Sequence, residues 1–401
     1  MGILSNDISA SIRETSSTLV EPEWLLTWRN KRAEAAETLP VALKYGIGIS
    51  GVLPSEQTKG SLRYDQTADY HVDASKGLEL YTWKEAVIQE EIVPILEGLI
   101  ESSFFPEANN YYGGLAQALF RSGLVVYAQP SVGDDGALKE EKLTLDTLVP
   151  KGNSADVIVL IVKEGAQLAF TSVLSGGDNT SIFARTIIVL TEADAAVRVM
   201  QKETLAQGVT ALVAARGIAA GHSSIVWSEI FAGDIRMRSE TDNMLVGEGA
   251  KGEVLQGVIA RGSAQYDIFA SVQHCASHTY SRIRAAGLGT DTSKTVYRGM
   301  VDMREGVRAV DGGQEAQFLV LSPNAEVDAI PSLDIASKDV LCTHKLSIAH
   351  IKDAHTFYPK LRGLSDTESR ALFLEGHFAQ VFAGEVYEPI MNDIRSAFST
   401  L

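Results

Sequence analysis

From about Gly123 to His350 the chain is written in short apolar runs separated by small-residue turns. Leu124–Tyr127, Val157–Val162, Thr186–Leu190, Val197–Met200, Ser224–Trp227, Val254–Ala260 and Phe318–Leu321 are too short for amphipathic helices. They are rich in the β-branched and aromatic residues that suit a pleated, half-buried surface. Similar turns join them: Glu164-Gly165-Ala166, Glu192-Ala193-Asp194, Glu248-Gly249-Ala250, Glu305-Gly306-Val307 and Pro323-Asn324-Ala325. The recurrence shows no fixed period, so the expectation is a loose repeat of strand and turn. A parallel β-helix fits, because each coil buries its apolar residues against the next. A β-sandwich also uses short strands, but residues 123–350 exceed the ~100 residues that one sandwich needs.

The flanks follow a different rhythm. After Glu21-Pro22, residues Trp24, Leu25, Trp28, Ala35 and Leu39 form an apolar face at helical spacing, which Pro40 ends. Helical spacing returns from Leu78 to Leu99, with Trp83, Val87, Ile92, Ile95 and Leu99 as core contacts. Near the other end Ser365-Asp366-Thr367-Glu368 has the spacing of a capping box. Ala371, Leu372 and Leu374 follow on the apolar side, Gly376 is the expected C-cap, and a last helix is expected from His377 towards Phe398, kinked or restarted at Pro389. The reading is a mainly β protein: a mainly helical region over 1–122, a parallel β-helix core over 123–350 and a C-terminal helical subdomain over 351–401.

Composition narrows the function classes. The 401 residues are 45% hydrophobic and 21% charged, as in an ordinary soluble protein. A formal net charge of -16 disfavours a phosphate-binding surface, so no nucleic acid is expected as a partner. The longest apolar stretches, such as Val157–Val162, are far shorter than the ~20 residues that span a bilayer, so no membrane is expected either. Cys275 and Cys342 are the only cysteines, and no N-terminal apolar run resembles a signal peptide. A reducing, cytoplasmic location is the expectation.

Several motifs bear on chemistry. Gly46-Ile47-Gly48-Ile49-Ser50-Gly51 and Gly247-Glu248-Gly249-Ala250-Lys251-Gly252 match the dinucleotide pattern G-x-G-x-x-G. That pattern needs a strand before it and a helix after it, and neither copy has the helix, so both read as tight turns. The chain has no P-loop for ATP hydrolysis and no G-x-S-x-G nucleophile elbow. His274-Cys275 and His278 form a cluster of metal-ligating types without the ligand set of a structural zinc site. On a strand, His274 and His278 would share one face and Cys275 would take the other. Cys342 and His344, two residues apart in strand-like sequence, would also share a face. Such a pair serves a metal or a sulfur atom, or is simply a buried thiol beside a partnered imidazole.

Taken in order along the chain, a series of segments resembles the SufB/SufD family of iron-sulfur cluster assembly scaffold proteins, and within it the SufD branch. They are Glu21-Pro22-Glu23-Trp24-Leu25-Leu26, Phe120 to Tyr127, Gly247 to Val254, His274 with Thr279 and Ser281, and Tyr297-Arg298-Gly299-Met300-Val301. The most specific are Pro331-Ser332-Leu333-Asp334-Ile335, Asp339 to His344, and Phe357-Tyr358 through Arg362-Gly363-Leu364-Ser365. The resemblance implies a β-helix between helical regions and a heterodimer with a SufB-like subunit. It also implies that the C-terminal helices dock a SufC-like ABC ATPase, which hydrolyses the ATP, while this chain is a non-catalytic scaffold. The nascent iron-sulfur cluster, or iron, would be held transiently at the shared interface, with His344 as an iron ligand and Cys342 beside it. No tightly bound cofactor is implied for the isolated chain.

The branch rests on residues. SufB-like chains carry a cysteine in the stretch that is Gln314-Glu315-Ala316-Gln317-Phe318 here, and lack the Cys before the motif His; this chain shows the reverse. It departs from SufD-like chains in following His344 with Lys345-Leu346-Ser347 rather than small residues. Two other readings are an extracellular β-helix enzyme acting on polysaccharides, recruiting Asp234, Glu240, Asp242 and Glu253, and a purely structural homodimer.

Overall fold

The computed structural model describes residues 6–40, 64–133, 135–350 and 362–382, with 391, 392 and 395. Helices α1 (Asn6–Leu19) and α2 (Glu23–Glu37) come first, followed by strands β1 (Asp69–Ala74) and β2 (Leu78–Thr82). Helices α3 (Trp83–Ala86), α4 (Val93–Glu101) and α5 (Tyr111–Leu119) lead into β3 (Ser122–Ala128), β4 (Ser131–Val132) and β5 (Leu138–Val149). Strands of 10 or 11 residues then succeed one another: β6 (Asn153–Val162), β7 (Gln167–Gly176), β8 (Ile182–Thr191), β9 (Ala196–Leu205), β10 (Thr210–Ala219), β11 (Ser224–Gly233) and β12 (Arg236–Leu245). The run continues with β13 (Lys251–Ala260), β14 (Gln265–His274), β15 (Tyr280–Gly289), β16 (Lys294–Met303), β17 (Val310–Val320), β18 (Glu326–Ile335) and β19 (Val340–His350). Helix α6 (Asp366–Phe378) closes the series.

Successive strands join alternate sheets. One runs β2-β3-β6-β8-β10-β12-β14-β16-β18, the other β1-β5-β7-β9-β11-β13-β15-β17-β19. All pairings from β5–β7 and β3–β6 onward are parallel, which makes a two-sheeted β-helix as the sequence suggested. The repeat is more regular than the sequence shows. Parallel strands of the first sheet start at 122, 153, 182, 210, 236, 265, 294 and 326, a spacing of 26 to 32 residues. What recurs is an inward apolar position and a turn geometry, which different residues satisfy equally well. At one turn, Gly165, Asp194, His222, Gly249 and His278 all have positive φ, and their N–H groups donate along the stack to the carbonyls of Ala193, Gly221, Glu248, Ser277 and Arg308.

The two sheet faces differ. Strand β7 alternates half-buried and buried residues, while β6 is buried almost throughout because α5 and its neighbours cover its outer face. Inside, Leu160, Val189, Trp227, Val254 and Ile283 belong to one apolar cluster, and Val213, Phe231, Val258, Tyr266 and Phe318 to another. The helical cap is pinned by a buried ion pair: Arg29 reaches Glu21 at 2.6 Å, both side chains fully buried. Arg29 also donates to the Ala118 carbonyl, and Trp83 donates to Glu21, so α2, α3 and α5 are tied at one point.

Three expectations are corrected. The segment from Leu78 begins as a strand, because β2 pairs antiparallel with β3 and turns Leu78 and Leu80 towards the inner core. Gly376 does not end its helix: α6 continues to Phe378 with Ala379 as C-cap, since Phe378 packs on the outer face of the second sheet with Ile230, Leu288 and Leu319. His377 therefore lies in the last turn of α6 rather than opening a new helix. The Gly46–Gly51 motif, Phe357-Tyr358 and Pro389 to Phe398, apart from 391, 392 and 395, lie outside the described residues.

Candidate functional site at the open end of the β-helix

Strands β18 and β19 are the last of their sheets, each paired along one edge only among the described residues. In β19, Cys342 stands opposite Gly312 and His344 opposite Gln314. Gly312 and Gln314 are buried positions of β17, whereas Asp311 and Glu315 on either side of them are less so. Strand periodicity thus places Cys342 and His344 on one face, turned to the interior of the β-helix at its open end. Cys342 is half-buried against the inner cluster, and His344 is exposed. Thr343 and Lys345 take the outer face, where Lys345 pairs with Glu315 at 3.2 Å.

Gly312 makes the floor beneath Cys342. A Cβ there would lie 2.6 Å from Met303 Cε, 2.9 Å from Val301 Cγ1 and 3.2 Å from His274 Nε2. Gln314 donates to the Ser332 carbonyl at 2.8 Å and so joins the last coils of the two sheets. Burial pushes the Cys342 thiol up, and nearby Asp311 adds to this against a hydrogen bond from the Thr343 backbone. A soft cation that displaces the thiol proton is what this sulfur needs to become a ligand.

The open end is also where large apolar side chains surface. Ile330 is 47% exposed, Ile335 43%, Leu341 70%, Leu346 37% and Ile348 44%, all on the two edge strands. Unpaired edges invite another chain; Pro331 and Lys345 are the kinds of residue that restrain indiscriminate pairing. Among the described residues no group of three or more His, Cys, Asp or Glu is placed to hold a metal ion. Cys342 and His344 supply two donors of borderline and soft character, which is half of a usual set.

The other sequence candidates do not assemble. His274 ends β14 fully buried, bonded through Nδ1 to Thr279 at 2.7 Å and through Nε2 to Ser281 at 2.8 Å. Burial holds its pKa down at about 4, so the imidazole is neutral. Because the strand stops there, Cys275 and His278 lie in the exposed turn and the expected sharing of a face between His274 and His278 does not arise. Gly247–Ala250 is a tight turn and Lys251-Gly252 opens β13, with Gly249 at φ +72 and Gly247 packed against the backbone of Gly221. No helix N-terminus is there to face a pyrophosphate. Of the four carboxylates weighed for polysaccharide chemistry, Asp234 binds a turn through Ser263, Glu240 and Asp242 pair with Arg238 and Arg216, and Glu253 lies on the other sheet.

Sequence reasoning missed two fully inward carboxylates, Glu203 on β9 and Glu229 on β11. The alternation Val197, Val199, Gln201, Glu203 carried the signal, since all four share the buried face.

No described helix is long and apolar enough to cross a membrane. Residues 148–377 match the family model described as SUF system FeS cluster assembly, SufBD core domain. The chain is 22% identical to an iron-sulfur cluster assembly SufBD family protein of Staphylococcus saprophyticus over 94% of this chain and 88% of that protein. The same identity and coverage hold for SufBD family proteins of Staphylococcus aureus strain USA300 and Staphylococcus haemolyticus. With a matching core model over more than half its length, the chain belongs to the SufBD family of SUF-system iron-sulfur cluster assembly proteins.

Proposed function

We propose that this chain is a SufD-like scaffold subunit, non-catalytic itself, that pairs with a SufB-like subunit in the cytoplasm. His344 and Cys342 supply this chain's share of the ligands to iron or a nascent iron-sulfur cluster at the shared interface. The observation that carries the reading is the placement of both donors on the inward face of a last strand that is paired along one edge only among the described residues. Two ligands on an exposed edge are too few alone and well positioned to be completed by another chain. The exposed apolar side chains on β18 and β19 supply the hydrophobic part of such a contact.

Thr343 and Lys345 face outward, so a partner seated on the open end meets Cys342 and His344 rather than the Lys345–Glu315 pair. Residues 351–401, read as a C-terminal subdomain apart from the helical region 1–122 and the core 123–350, dock a SufC-like ATPase. Support comes from α6, which rests on the second sheet through Leu374 and Phe378 and leaves Leu372 53% exposed. The test is anaerobic co-purification with SufB-like and SufC-like partners, followed by iron and sulfide analysis. A stable three-component complex is expected; a chain that recovers neither partner would remove the scaffold reading.

A further inference from the structure

The interior of the β-helix contains acidic groups that no cation among the described residues bonds directly. Glu229 is fully buried and accepts from Gln201 at 2.6 Å, Thr241 at 2.7 Å and Gln256 at 2.7 Å, three neutral donors. Gln201 and Gln256 are its register partners on β9 and β13. Glu203, two residues beyond Gln201, is 5% exposed, and its Oε2 has no hydrogen-bond partner among the described residues.

The groups facing the pair do not supply the missing charge. The guanidinium of Arg185 on β8 is taken by Asp156 on β6, by Ser172 and by Thr147, and Asp156 also accepts from Tyr70. Tyr266 on β14 and Tyr297 on β16 bring neutral phenols, and the inward positions of β12 and β13 bring no charged side chain. Burying a lone carboxylate costs far more than burying a carboxylic acid, so a group in this setting keeps its proton.

We propose that Glu203 and Glu229 form a proton-retaining pair that makes the middle coils of the β-helix sensitive to alkaline conditions. The pair holds at least one proton in the folded state and gives it up to solvent when the coils open. Burial pushes Glu229 up to about 7 against the hydrogen bonds from Gln256, Thr241 and Gln201, and it pushes Glu203 well above the usual carboxylate range, with nearby Glu229 raising Glu203 further and Arg185 opposing this. Both groups are ionised in the unfolded chain above the ordinary carboxylate pKa. Stability from the pair is therefore full at acid pH and is lost as pH rises through the folded-state values.

The experiment follows the chemical unfolding midpoint of the full chain from about pH 6 to about pH 9 beside Glu203→Gln and Glu229→Gln. Each retained proton changes the folding equilibrium constant by up to about tenfold per pH unit. The wild-type midpoint should fall towards alkaline pH, and each variant should fall less. An amide at 229 can still accept from Gln201 and Thr241 and donate to Gln256 after that amide turns over. Independently of any variant, infrared spectra of the folded wild type in D2O near neutral pH should show the carbonyl stretch of a protonated carboxylic acid. Parallel pH profiles, or absence of that band, would overturn the proposal.

Discussion

Gly312 and Cys342 face each other across adjacent parallel strands, and the missing side chain of the one leaves His274 and Met303 directly beneath the other. The thiol thus rests on a floor set by Met303 one coil earlier and His274 two coils earlier. A change at Gly312 should be felt at Cys342 without touching it. For Gly312→Val, overpacking against Met303 and Val301 should cost about 1–3 kcal/mol and raise the reactivity of Cys342 towards a thiol reagent. Denaturation midpoints with mass-resolved alkylation of Cys342 check this, and an unchanged midpoint would mean that the floor yields freely.

His274 should make the fold sensitive to acid. Its folded-state pKa is lowered to about 4 from 6.5, so the unfolded chain takes up a proton first as pH falls. The stability it contributes is complete above the unfolded value and is lost between that value and the folded one, on the order of 3 kcal/mol in all. His274→Gln should flatten the acid limb of the stability profile relative to wild type. Identical acid limbs for the two proteins would contradict the assignment.

The Arg29–Glu21 pair should behave as a buried ion pair. Arg29→Met strands the Glu21 carboxylate beneath α2 and should cost about 3–5 kcal/mol, whereas adding Glu21→Gln should recover a large part. A double-mutant cycle read by thermal unfolding measures this coupling. Simple additivity of the two changes would show that the carboxylate finds water.

The β-helix was legible because its inward positions are apolar and its turns small, a pattern that survives without identical residues. Its near-regular spacing was not, since Asp194, His222 and Gly249 occupy equivalent turn positions with unrelated side chains. Leu78–Thr82 fits helical spacing as well as strand alternation, and only its pairing with β3 decides between them. Gly376 looked like a helix end until Phe378 found its place against the second sheet. At the candidate site, the shared face of Cys342 and His344 followed from spacing alone. The open edge and the glycine floor did not, because they depend on which strand comes last and on residues from Val301 to Gly312.

The most direct test is the iron and sulfide content of the anaerobically purified three-component complex with His344→Ala in place of wild type. The account predicts that the complex still assembles, because His344 is exposed and supports no core contact, and that iron and sulfide are largely lost. A His344→Ala complex that retains wild-type iron and sulfide would contradict the role given to this end of the β-helix.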